Sequence, residues 1–162
     1  MSDDTAWLDG EQQQHWRAYL LGVARLNDVL NRQLEHDAGL SLSEYEILVR
    51  LSEADGRTLR MSDLAHATMH SRSRLTHTVG RLESQGLVER RSCADDRRGV
   101  NCVMTDAGYE LLVRTAPGHV RAVREHLVDR LSQDELTALG AAMAKVAPTG
   151  GVPDAVPART PA

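Results

Sequence analysis

Apolar residues recur every three to four positions from Trp16 through Tyr19, Leu20, Val23, Leu26 and Leu30 to Leu34, the period of an amphipathic helix. The pattern predicts a long first helix from about residue 11 to Asp37, stopped by Gly39, after a polar and loosely held segment 1–10. A second periodic run holds Ile47, Leu48 and Leu51 and ends near Ala54. Ahead of it, Ser43 and Glu46 have capping-box spacing, with Leu42 and Ile47 at the two staple positions. Asp55-Gly56 then turns the chain.

Between Ser62 and Gly86 the period predicts two short helices. One opens at Ser62; the second opens near His70 or Ser71 and stops at Gly86, a residue suited to a left-handed C-terminal cap. In the second, Leu75, Val79 and Leu82 fall at i, i+4 and i+7, so that face docks on the core. The segments around Leu87-Val88 and Val100–Thr105 read as two strands, and the polar, Gly-ended stretch 94–99 between them reads as a hairpin tip.

After the hairpin, Thr105 is placed to cap a helix carrying Leu111, Leu112, Ala116, Val120, Val123 and Leu127, with a kink or break expected at Pro117-Gly118. Ser132 and Glu135 form another capping box, ahead of a last helix with Leu136, Leu139, Met143 and Val146. From Pro148 onward the Pro, Gly and Ala content predicts a disordered tail, 148–162. The order of elements is that of a winged helix-turn-helix. The expected fold class is mainly α with a small β-hairpin wing, flanked by long N- and C-terminal helices.

With 162 residues the chain fits a single domain with a real core. It has no Phe, so Leu, Val and Ala must fill that core. The formal net charge of −4 argues against a nonspecific polycation. Locally the sign reverses: from Arg72 to Arg98 seven arginines (72, 74, 81, 90, 91, 97 and 98) face four acids (83, 89, 95 and 96). A basic reading head on an acidic body suits a selective DNA binder. The outward face of the second short helix, about 71–85, presents Arg72, Ser73, Arg74, Thr76, His77 and Arg81, groups that can meet base edges and phosphates in a major groove. Within that group Arg72 and Arg81 read as phosphate clamps. The tip arginines Arg97 and Arg98 can reach a minor groove, and Asp96 is placed to orient the tip.

Other chemistry is thinner. No Gly-rich phosphate loop, nucleophile elbow or metal triad stands in the sequence, so neither an enzyme nor a cofactor is expected. His66 and His70 have metal-ligand spacing, but a helix boundary is expected between them. No apolar run reaches membrane-spanning length and no leader precedes the first helix, so the cytoplasm is the expected location, with no membrane partner and reduced thiols. Cys93 and Cys102 flank the wing, and counting inward from the tip sets them roughly opposite each other, which leaves a thiol switch open as an alternative.

The hairpin also carries a specific signature: Asp96-Arg97-Arg98, then Cys102, Met104 and Thr105, closed by Gly108, thirteen positions in all. In this pattern the chain resembles the MarR family of bacterial transcription regulators, whose wing runs Asp-x-Arg, three residues, Val-x-Leu-Thr, two residues, Gly. Cys102 and Met104 take the Val and Leu places. The resemblance covers roughly residues 11–147. It implies a DNA-binding winged helix-turn-helix (43–105, with the wing at about 88–105) and terminal helices (11–38 and 106–147) that interleave with a second copy. The implied function is a homodimeric, ligand-responsive repressor on a palindromic duplex operator. In that family a cleft between the dimer helices and the DNA head receives small, often aromatic or anionic, effectors, so Trp16, Tyr19 and Tyr45 are candidate pocket residues. Peroxide-sensing members use a cysteine of the first helix, which this chain lacks. A winged helix that binds a protein partner remains the other reading.

Overall fold

The computed structural model describes residues 5–92 and 99–146. Among the described residues six helices, three short strands and two 3-10 turns follow one another, as α1 (Gly10–Ala38), α2 (Leu42–Glu53), β1 (Thr58–Arg60), α3 (Met61–Ala67), α4 (Arg72–Ser84), β2 (Val88–Ser92), β3 (Val100–Met104), α5 (Asp106–His126) and α6 (Gln133–Val146). The first 3-10 turn, Asp55–Arg57, precedes β1, and the second, Val128–Arg130, precedes α6.

The predicted helices form, and their ends show why. Asp9 and Gln12 cap the start of α1 reciprocally, while Gly39 ends it with φ 66°, a left-handed conformation that glycine adopts without strain. Thr105 caps α5 by accepting from the Gly108 N–H, and the Ser132–Glu135 box closes around the start of α6.

The start of α2 differs from the expectation. Two overlapping Ser-x-x-Glu patterns stand in 41–46, and the chain uses Ser41 with Glu44 instead of Ser43 with Glu46. Burial decides between them. The Ser41 cap puts Leu40 before the cap and Tyr45 on the first turn, both in the core, whereas the later frame would draw Glu46 into the cap and leave Glu44 uncapped.

At Pro117 no break occurs and α5 runs on to His126. Pro117 lies on the exposed side, where water can satisfy the carbonyl that lost its donor, while Leu112, Thr115 and Ala122 hold both halves on the inner side. Gly118 lets α5 approach α1: a Cβ there would stand 3.0 Å from Asp37 Oδ2.

The strands form one antiparallel sheet in the order β1-β3-β2, with Leu59 opposite Cys102 on one side and Arg90 opposite Cys102 on the other. β1 was not predicted, because three residues are too few to show a period. Leu34, Leu40, Ile47, Leu48, Leu51, Leu64, Leu75, Val79, Leu82 and Val88 are the buried centre of the molecule. This core belongs to α2–α4, the sheet and the near ends of α1 and α5. The N-terminal half of α1 and all of α6 contribute no buried residue.

Candidate nucleic-acid interface

α4 is set by its two faces. Leu75, Thr78, Val79 and Leu82 are buried, and the Thr78 hydroxyl donates to the Arg74 carbonyl, which lets a polar residue sit among them. The opposite face carries Ser73, Thr76 and His77, all exposed, with Arg72 and Arg81 at its edges. Ser71 opens the helix by accepting from the Arg74 N–H, and the turn from α3 is made by Met69 in the left-handed region at φ 54°. His66 lies in the last turn of α3 and His70 lies beyond that turn, so they share no helix face.

Two of the predicted DNA-contacting arginines are also committed inward. Arg74 Nη2 donates to Ser43 Oγ at 3.0 Å, tying α4 to α2. Arg81 Nε stands 3.1 Å from Glu44 Oε1, a charge pair lacking hydrogen-bond alignment. Glu44 is fully buried, and its other oxygen accepts from the Ser41 N–H and hydroxyl. The Arg81 guanidinium thus faces the buried carboxylate that caps α2, while its side chain stays 56% exposed.

The hairpin is fixed to α4 by Glu83. Its carboxylate accepts from the Arg90 backbone N–H at 3.1 Å and from two guanidinium nitrogens of the same residue. These donors hold the Glu83 carboxyl below the usual carboxylate range. A concave surface of about 440 Å³ opens between α3, α4 and the hairpin, lined by Arg60, Ser62, Arg72, Thr76, Arg90 and Gly99 among others. Arg60 was not singled out in the sequence, and Ser62 only as a helix start. Their signal is position alone, beside the first turn of the first helix of the motif.

The tip residues Asp96, Arg97 and Arg98, and Cys93, lie outside the described residues. In the described register Ser92 pairs with Val100 and Cys102 pairs with Arg90. Cys102 is fully buried, and burial pushes its thiol up to about 12.

A second, larger cavity of about 810 Å³ lies between α1, α2, the α3–α4 turn and α5. Tyr45 lines it, and its ring meets His119 of α5 at 4.5 Å between centroids. Trp16 and Tyr19 do not line it. They stack on each other, 5.8 Å apart, on the outer half of α1, where they are 51% and 40% exposed. Helical period alone could not separate an outward stripe from a pocket wall.

The sequence pattern of the MarR family matches residues 38–99, from the end of α1 to the hairpin. The HTH-type transcriptional regulator PecS of Dickeya dadantii is 33% identical over 108 residues, which cover 66% of this chain and 64% of that protein, so this chain spans a little under two thirds of its length. Among solved structures, Sco3205, a MarR family transcriptional regulator from Streptomyces coelicolor solved in complex with DNA, is 46% identical with a TM-score of 0.86, covering 90% of this chain and 91% of that one. AbsC, a MarR family transcriptional regulator from the same organism, is 44% identical with a TM-score of 0.83, covering 88% and 95%.

Proposed function

Because the chain belongs to the MarR family of transcription regulators, we propose that it is a homodimeric, ligand-responsive repressor that binds a palindromic duplex operator. The observation that carries the reading is the divided α4: a buried Leu75-Val79-Leu82 face and an exposed Ser73-Thr76-His77 face beside Arg72. A helix so divided can lie in a major groove, with Ser73, Thr76 and His77 toward base edges and Arg72 and Arg74 toward phosphates. The hairpin, carrying Asp96, Arg97 and Arg98, then follows the backbone into the adjacent minor groove. Arg60 and Ser62, on the same concave surface, add phosphate contacts.

Dimerisation is supported by what is left uncovered. Trp16, Leu20, Leu21 and Val23 on α1 and Val113 and Val120 on α5 are exposed, and no residue of α6 is fully buried within its own chain. Segments 10–38 and 106–146 fit a twofold interface with a second copy. Two heads so joined read half-sites about 34–36 Å apart. The cavity beside Tyr45 is the effector site in this reading, placed where a bound molecule can bias the angle between the dimer helices and the DNA head.

Selection of binding sites from random duplex DNA by the purified protein tests the proposal. An inverted repeat with half-sites one turn apart is expected, its enrichment weakened by Arg98→Ala. Recovery of no sequence by protein that has been unfolded, stripped of ligand and refolded would overturn it.

A further inference from the structure

The cavity beside Tyr45 carries a charge pattern that bears on what it accepts. Its apolar wall is Leu30, Leu42 and Val49. Its charged side chains are Glu46, Arg50 and Glu53, and Arg50 Nη1 is already paired with Glu53 Oε2 at 3.4 Å. Glu46 is the carboxylate left over. It remains exposed at the rim, where desolvation raises its proton affinity against the opposing pull of Arg50 and Arg74.

Of the remaining polar groups, Asn27 and the Tyr45 hydroxyl can donate or accept, while Thr68 and His119 offer acceptors. The Thr68 hydroxyl spends its proton on the Leu64 carbonyl, leaving lone pairs. His119 Nδ1 faces Gln33 Oε1 at 3.2 Å, where the ring must be the donor, so in the neutral tautomer Nε2 is an acceptor. Burial holds His119 in that neutral form. The tilted Tyr45 and His119 rings add π-faces, to which a cation is attracted when partly desolvated.

We infer that this cavity selects a cationic, hydrogen-bond-donating effector, an aromatic or alicyclic amine, with the ammonium paired to Glu46 and the apolar body against Leu30, Leu42 and Val49. An anionic ligand would meet the Glu46 carboxylate, the acceptors of Thr68 and His119, and an arginine already shared with Glu53. The inference rests on the proposed function for the site's role in regulation and departs from the anionic effectors that the family resemblance implied.

The test is calorimetric titration of the full-length protein with phenethylamine, 3-phenylpropionate and 3-phenylpropanol, which share an apolar body and differ in charge. It is run on the native protein and on Glu46→Gln and Val49→Trp, each with native-like thermal unfolding and DNA affinity in the absence of ligand. The amine is expected to bind at least tenfold more tightly than the carboxylate. Glu46→Gln should reduce that preference about tenfold while leaving the alcohol unchanged, and Val49→Trp should abolish all binding. Tighter binding of the carboxylate, still abolished by Val49→Trp, would overturn the cationic class and leave the effector site standing. Binding indifferent to Val49→Trp, or binding of none of the three, would remove the site and the inference together.

Discussion

Glu44, fully buried at the start of α2, and Arg81, on the exposed edge of α4, stand 3.1 Å apart and join the helix that lines the cavity to the helix proposed to read DNA. The buried carboxylate is tolerated because one oxygen caps α2 while the other faces the guanidinium. Removing Arg81 leaves a charge that water cannot reach. Arg81→Ala is therefore expected to destabilise the fold by about 1–3 kcal/mol, and Glu44→Ala by about 2–4 kcal/mol because the cap is lost as well. Urea denaturation measures both. A loss of DNA affinity in Arg81→Ala with unchanged stability would assign the residue to phosphate contact instead.

Two glycines separate packing from propensity. A Cβ at Gly108 would overlap the Leu87 carbonyl oxygen and crowd Met104 Cγ, where the hairpin meets the start of α5. Gly108→Ala should cost about 2–3 kcal/mol. At Gly80, in the middle of α4, the space around a Cβ is open within the chain. Gly80→Ala should therefore stabilise by roughly 1 kcal/mol through helix propensity alone. Thermal unfolding of the pair, expected to move in opposite directions, decides both.

Much of this arrangement is legible in the sequence because periodicity reports burial. Leu75, Val79 and Leu82 mark the inner face of α4, Gly39 marks a helix end, and Thr105 and Gly108 mark a helix start whose steric demand the fold confirms. What escaped were features set by tertiary context. Ser41 and Ser43 offer equivalent local caps, and only the burial of Leu40 and Tyr45 distinguishes them. β1 exists through its pairing with β3, not through its own composition. Trp16 and Tyr45 both fall on apolar stripes, but one stripe faces outward and the other faces the cavity, which depends on where α5 lies.

The Cys102 thiol is expected to be inert in the folded protein. With its pKa pushed up to about 12 from 9.0, its thiolate fraction near neutral pH falls about a thousandfold, before steric exclusion is counted. Alkylation at pH 8 should modify Cys102 only after denaturant is added, as mass spectrometry of the peptides would show. Rapid native-state labelling of Cys102 would favour the thiol-switch alternative.

His119 and His70 both make the fold acid-sensitive. Burial lowers the folded-state value of each, and for His70 the charge on Arg74 adds to the effect. The unfolded chain therefore takes up protons first. Stability should fall as pH drops through the ordinary imidazole value, about 6.5, and level off once the folded protein is protonated too. His119→Gln should flatten part of this slope in denaturation curves between pH 7.5 and 5; an unchanged slope would mean that His119 is not held neutral.

The division of labour proposed for α4 gives separable signatures on DNA. A guanidinium that neutralises one phosphate releases counterions, so removing Arg72, which has no assigned task in the core, should weaken binding to every duplex alike. The slope of log affinity against log salt should become shallower by about 1. Ser73 and His77, on the outermost line of the helix, carry no net charge when His77 is neutral. Ser73→Ala and His77→Ala should leave the salt slope intact while relaxing preference at individual operator positions by about 1–3 kcal/mol for each lost contact. Fluorescence anisotropy on the selected operator and on single-base variants, at several salt concentrations, measures both quantities. If Arg72→Ala altered base preference without altering the slope, α4 would lie in the groove rotated from the orientation that its buried face implies.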